Sequence, residues 1–256
     1  MKKWISVFIA AWVMVLAGCF DVIQETTLKQ DGSGVITTAM DMSSIMEMLA
    51  QMGGVGDEKI EADSSLQVAP LLDSIQELTP EEKELLRDAT AHIRVNSSSN
   101  KFLLSISTPF TKAEDISKIK AALGKAHIME KAIDNVMNKE EDDINNPMEG
   151  AADDFKMAEV DDYFTTVASK GLFRRTLIKE KYDSLSKNEL MQKMKEGLDQ
   201  GMPPIKFVFL LSLPSPAKKA EGKNVVLSED KKKIKIENTL DELFADPSRF
   251  EFAVEY

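Results

Sequence analysis

Three times along this chain, two runs rich in β-branched and apolar residues meet across a short turn, and a capped helical segment follows. Residues 20–30 and 35–42 flank Asp31-Gly32-Ser33-Gly34, residues 89–96 and 102–108 flank Ser97-Ser98-Ser99-Asn100, and residues 163–169 and 172–179 flank Lys170-Gly171. Asp-Gly between extended runs signals a hairpin, because glycine accepts the positive φ that a tight turn needs. The helical segments open on Ser44-Ile45-Met46-Glu47, Thr111-Lys112-Ala113-Glu114 and Ser186-Lys187-Asn188-Glu189. In each, a hydroxyl and an acid three residues on can satisfy the free amides of a first turn. Stops are predicted at Gly53-Gly54 after Met52, at Gly124 with a further helix over 128–137, and at Gly201 and Pro203. Leu190, Met194 and Leu198 give the last helix an apolar stripe. The three units share an order of elements but no sequence, so this is architecture and not a repeat.

Further elements complete the reading. Ile205–Leu213 is the most apolar strand candidate and is placed centrally, stopped by Pro214 and Pro216. Val225–Leu227 and Lys233–Glu237 form a hairpin over 228–230, followed by a helical turn at Leu240–Phe244 and a last strand at Arg249–Tyr256. Leu71–Leu78 and Pro80–Arg87 read as helices, the second opened by a Thr79-Pro80-Glu81-Glu82 capping box. Tight turns favour antiparallel pairing, so the expected class is α+β: a mostly antiparallel sheet built from β-hairpins, with capped amphipathic helices on one face. Two segments read as loops or disordered: 53–65, rich in Gly, Asp and Ser, and 139–162, with ten acidic residues against two lysines. The expected division is a leader over 1–18, an N-terminal half over 19–138, an acidic loop or linker over 139–159, and a C-terminal half over 160–256. Whether the two halves form one domain is left open.

The N-terminus has its own grammar. Met1-Lys2-Lys3 precedes an uncharged apolar run over residues 4–18, which ends in Leu16-Ala17-Gly18 ahead of Cys19. Positive start, short apolar stretch and small closing residues are the layout of a secretory signal, and the run is short for ~30 Å of hydrocarbon. Leu16-Ala17-Gly18-Cys19 resembles the lipobox of bacterial lipoproteins. The resemblance implies cleavage between Gly18 and Cys19, and lipidation of Cys19 by a diacylglyceryl thioether and an N-acyl chain of the palmitate kind. Two or more chains give stable attachment without a spanning helix. It also implies a cell-envelope location. Phe20 follows the cysteine where an Asp would hold an enterobacterial-type lipoprotein at the inner membrane, so the outer membrane is expected. In layout, the N-terminal hairpin is similar to LppM-type envelope lipoproteins, which are built on a β-rich α+β domain.

Composition narrows the function classes. With 43% apolar and 29% charged residues the chain can bury a core. Cys19 is the single cysteine, so no intramolecular disulfide supports the fold. A net charge of −11 argues against nucleic acid, whose phosphates need a basic surface.

Catalytic residues are sparse. Gly32-Ser33-Gly34 lacks the flanks of a nucleophile elbow. His92 reads as a solvent-facing strand residue alternating with Arg94, and His127 as a residue at a helix C-terminus. No His or Cys pair has zinc-ligand spacing. The acidic run 140–154 lacks the calcium-loop alternation, and Met40, Met42, Met46, Met48 and Met52 read as core fillers before copper ligands. No metal and no cofactor is expected. The exception to the acidic surface is a lysine cluster on the last hairpin, where Lys231, Lys232, Lys233 and Lys235 are candidate contacts for an anionic surface; lysines also guard exposed strand edges. The expected function is a non-catalytic binding or scaffolding role for a lipid-anchored envelope protein. Its partners are the membrane, through Cys19, and an envelope protein or glycan. The alternative is a hydrolase working with a carboxylate pair.

Overall fold

The computed structural model describes residues 20–44, 46–47, 61–128, 158–185, 188–200 and 204–256. Its strands are β1 (Phe20–Leu28), β2 (Gly34–Asp41), β3 (Glu61–Gln67), β4 (Thr90–Asn96), β5 (Lys101–Phe110), β6 (Phe164–Ser169), β7 (Leu172–Leu177), β8 (Ile205–Ser212), β9 (Lys219–Gly222), β10 (Val225–Leu227), β11 (Lys233–Thr239) and β12 (Phe252–Glu255). The helices are α1 (Ala69–Leu72), α2 (Pro80–Leu86), α3 (Ile116–Ala126), α4 (Ala158–Asp162), α5 (Lys179–Tyr182), α6 (Glu189–Asp199) and α7 (Leu240–Ala245).

Eight strands form one sheet in the order β10-β11-β8-β1-β2-β5-β4-β3, and four form a second in the order β6-β7-β12-β9. This is the α+β class, and the hairpins β1–β2, β4–β5, β6–β7 and β10–β11 pair antiparallel. At the first turn Gly32 has φ +88°, and a Cβ on Gly34 would fall 1.9 Å from the Thr27 carbonyl oxygen, so the hairpin demands both glycines. One pairing departs from the antiparallel rule: β1 runs parallel to β8 in register from Phe20↔Ile205 to Thr27↔Ser212. Strands from both sides of the acidic segment thus lie in one sheet, with β8 interior as its apolar sequence requires.

Period-two alternation sorts the large sheet into two faces. Val22, Ile36, Leu104, Ile106, Phe207, Phe209 and Ile234 are buried on the inner face, whereas Glu25, Arg94, Lys233 and Lys235 are exposed. The small sheet packs on that inner face through aromatic rings. Phe250 lies 5.7 Å from Phe164 and 5.6 Å from Phe207, ring to ring, and Phe252 lies 5.9 Å from Phe173. Burial of one such ring stabilises by about 1.5–3 kcal/mol.

Several boundaries differ from expectation. Residues 61–67 are an edge strand rather than loop, held by β4 pairing that short polar side chains do not prevent. Helix α3 starts behind a 3-10 turn at Ala113–Asp115 without a Thr111 cap, passes through Gly124, and ends where His127 turns left-handed at φ 46°. A single glycine costs about 1 kcal/mol inside a helix, less than the packing of Ile116, Ile119, Ala122 and Ala126 supplies. The 71–78 helix shrinks to α1, and the last strand is preceded by a 3-10 turn at Pro247–Phe250. Asn188 caps α6, its side chain accepting from the Met191 amide at 3.0 Å. Strand β9 had no signal in its sequence. The calls on 48–60, 129–157, Ser186 and Gly201–Pro203 lie outside the described residues, as do Gly18 and Cys19.

Candidate functional site

The inner face of β1 should read apolar at every second residue, yet it runs Val22, Gln24, Thr26, Leu28. Strand β7 does the same, placing Arg175 on the face of Phe173 and Leu177. These polar positions meet between the two sheets. Arg175 is 2% exposed, and its Nη1 donates to Asp161 Oδ1 at 2.6 Å from α4. Lys120 of α3 reaches Asp161 Oδ2 at 2.9 Å, with its side chain 12% exposed, and also donates to Thr166 Oγ1 at 3.3 Å. Gln24 donates its amide to Asp161 Oδ2 as well. The guanidinium carbon sits 4.2 Å from the centre of the Phe164 ring and 4.7 Å from that of Phe209, a cation–π arrangement from two rings.

Electrostatics follow from the geometry. Burial alone would raise the Asp161 carboxyl, but Lys120 and Arg175 hold it well below the ordinary carboxylate range. Burial pushes Lys120 down to about 8, against the pull of Asp161 and with the added repulsion of Arg175. Two cations therefore face one carboxylate. Among the described residues, no acceptor reaches Arg175 Nε or Nη2. A cavity of about 10 Å³ lies against this cluster, lined on its polar side by Gln24, Thr26, Lys120, Thr166 and Arg175.

The lysine hairpin lies elsewhere. Lys231, Lys232 and Lys233 are exposed at the tip where β10 turns into β11, and none of the ion pairs among the described residues involves them. Lys231 turns left-handed at φ 55°, and Asp230 closes the turn by accepting from the Lys232 amide at 3.0 Å. Lys235 differs from its neighbours, being paired to Glu237 at 2.6 Å. Beside the tip, Val226 is 63% exposed on the short edge strand β10.

The remaining candidates separate. His92 faces outward and meets Asp63 at 2.7 Å, a carboxylate that Arg94 also holds at 2.9 Å. Met40, Met42 and Met46 are buried in the core; Met48, Met52 and the 140–154 run fall outside the described residues. Among the described residues no group of three or more His, Cys, Asp or Glu is placed to hold a metal ion, and no helix is long and apolar enough to cross a membrane.

The buried cluster was missed by motif reasoning because its four members come from four elements and share no local spacing. The available signal was local: a glutamine, a threonine and an arginine on inward registers of strands. Asp161 was hidden differently, inside an acidic run expected to be solvated, whose last residues form α4 and supply the countercharge. No protein-family model, no curated protein and no solved structure matches this chain.

Proposed function

We propose that this is a cell-envelope protein anchored by lipid on Cys19 that acts by binding or scaffolding, with the Lys231–Lys233 tip as its contact for an acidic partner. One observation supports the arrangement above all. Strand β1 starts at Phe20, the residue after the lipobox cysteine, so a lipid there adjoins the interior of the large sheet. Through β8, Phe20 is level with Ile205, while Thr27 is level with Ser212 and Lys233. Seven residues of strand separate the two levels, roughly 23 Å at 3.3 Å per residue. The start of β1 and the lysine tip thus lie toward opposite ends of the sheet, measured along its strands. The tip reaches the anchoring bilayer only if the strands lie in its plane; with the strands upright it faces away from it.

A catalytic carboxylate pair has less support: no carboxylate lines the cavity between the sheets, and Asp161 beside it is held ionised by two cations.

The test is fractionation of cells carrying the full chain. Fatty-acid labelling should appear on the parent, its mature N-terminal peptide should start at Cys19, and Cys19→Ser should lose both. An unlabelled parent overturns the anchor. Crosslinking in intact cells, comparing the parent with Lys231→Glu, Lys232→Glu and Lys233→Glu combined, addresses the tip: a partner captured equally by both overturns that contact.

A further inference from the structure

We infer that the outer edge of β3 is a self-association site, where a second copy of this chain lays its own β3 antiparallel and joins two large sheets into one. The inference stands independently of the lipid anchor and the lysine tip. Strand β3 ends the large sheet and, among the described residues, pairs only with β4. Other sheet edges are guarded. Strands β9 and β10 are four and three residues long, β9 opens on Lys219, and β6 has helix α3 against it. Strand β3 runs for seven residues in unbroken register, without lysine, proline, glycine or bulge. Such an edge is a template for another strand.

The direction of its free groups follows from its ends. The Val68 amide donates to the Ala89 carbonyl at 2.9 Å, one step beyond the Gln67↔Thr90 pair. Hydrogen-bonded pairs alternate along an antiparallel ladder. Ala62, Ser64 and Leu66 therefore bond to β4, while Glu61, Asp63, Ser65 and Gln67 aim their amides and carbonyls away from it. The Met42 amide, bonded to the Phe102 carbonyl, fixes the same parity from the other side, through β5 and β4. All four outward residues are exposed, as is Ser64.

Register selects the occupant. A two-fold pairing centred on Ser64 uses every outward residue, setting Glu61 opposite Gln67 of the second copy and Asp63 opposite Ser65. Ala62 then meets Leu66, and both already pack against the core. No like charges stand directly opposite, and Asp63 is held by Arg94 at 2.9 Å. Centring on Asp63 would set two carboxylates face to face, and centring on Ser65 would run Glu61 past the end of β3. The sequence of this edge is thus complementary to itself.

Disulfide trapping of the purified full chain in detergent, under mild oxidation, tests the register. Ser64 faces its own copy across a non-hydrogen-bonded pair, with Cα atoms about 4.5 Å apart, within disulfide reach. Ser64→Cys should run at twice the chain's mass and return to one with reductant. Gln67→Cys should not, since its two copies lie roughly 20 Å apart at ~3.4 Å per residue. Cys19 is common to parent and variants, so the parent sets the background. Adding Ser65→Pro to Ser64→Cys removes an outward amide and keeps the β4 bonds, so the dimer should fall to background with the unfolding midpoint held. Gln67→Cys carries no backbone change, and that comparison stands whether or not the proline variant folds. A monomeric Ser64→Cys overturns the proposal, as does equal crosslinking by Gln67→Cys or a dimer undiminished by Ser65→Pro. If Ser64→Cys in intact cells is captured on another protein and not on its own copy, the edge belongs to a foreign strand and the second copy is overturned.

Discussion

Lys118 and Lys120 leave helix α3 two residues apart, and each meets a carboxylate at nearly the same distance. Lys118 pairs with Glu81 at 2.7 Å and Lys120 with Asp161 at 2.9 Å. Their surroundings differ. The Lys118 side chain is 56% exposed, and its pair lies in water that screens it and offers each partner equivalent hydrogen bonds. Lys120 is wedged between the sheets, where desolvation works against its charge and where removal of Asp161 would strand two cations. The two lysines even titrate in opposite directions. Glu81 raises Lys118, first through the hydrogen bond, while burial lowers Lys120. Pair distance alone carries no energy; the medium around the pair sets both sign and size.

The largest break of this comparison is Asp161→Asn, which keeps the side-chain shape and removes the countercharge of Arg175 and Lys120. Loss of about 3 kcal/mol or more is expected, read as a lowered midpoint in denaturant unfolding. A loss as small as that of a surface substitution would put the cluster in water and dissolve the contrast.

Next comes the pH dependence. Lys120 has an ordinary value of 10.5 and about 8 in the fold. Between those values the unfolded chain holds a proton that the folded chain lacks, so this group makes stability rise with pH from about 8 to about 10.5. Lys120→Met should remove that rise from the stability–pH profile. Asp161 works at the other end: its value is lowered from 3.8, so its contribution is present above that pH and lost as the pH falls through the lower folded value. Asp161→Asn should flatten the acid limb.

A smaller effect is expected at the start of α2, where Thr79 Oγ1 accepts from the Glu82 amide and Glu82 accepts from the Thr79 amide in a complete capping box. Thr79→Ala should cost about 1 kcal/mol, measured in the same unfolding assay. The smallest is Lys118→Ala, which should leave the midpoint unmoved within error. A measurable loss there would show that exposed pairs on this helix matter more than the comparison allows.

Legibility in the sequence followed the range of the interaction. The β1–β2 turn was readable because Asp31, Gly32 and Gly34 carry its geometry within four residues. The Thr79 box was readable because its donors and acceptors are three residues apart. Strand β8 was readable as interior because its sequence, IKFVFLLS, is a nearly continuous apolar run with little to give to solvent. The left-handed end of α3 at His127 was not, since Gly124 offered the more conventional stop and only packing of Ala126 against the core carried the helix past it. Strand β3 failed for the same reason: Glu61, Asp63, Ser64 and Ser65 have little strand preference, and the β4 edge recruited them.

The candidate sites divide along that line too. Leu16, Ala17, Gly18 and Cys19, which resemble a lipobox, and the run Lys231, Lys232 and Lys233 are contiguous, so the sequence alone points to them and suggests their chemistry. That the start of β1 and the lysine tip stand at opposite ends of one sheet follows only from the parallel register of β1 with β8, a pairing that unites residues separated by most of the chain. Asp161, Lys120, Gln24 and Arg175 are unremarkable where they stand in the sequence: an acid among acids, a lysine on a helix, a glutamine and an arginine in strands. Local chemistry determined the hairpins, the Thr79 cap and the class of fold, because their hydrogen bonds close within a few residues. Tertiary packing decided which charges lost their water, because desolvation depends on what the rest of the chain places around a group and not on its neighbours in sequence.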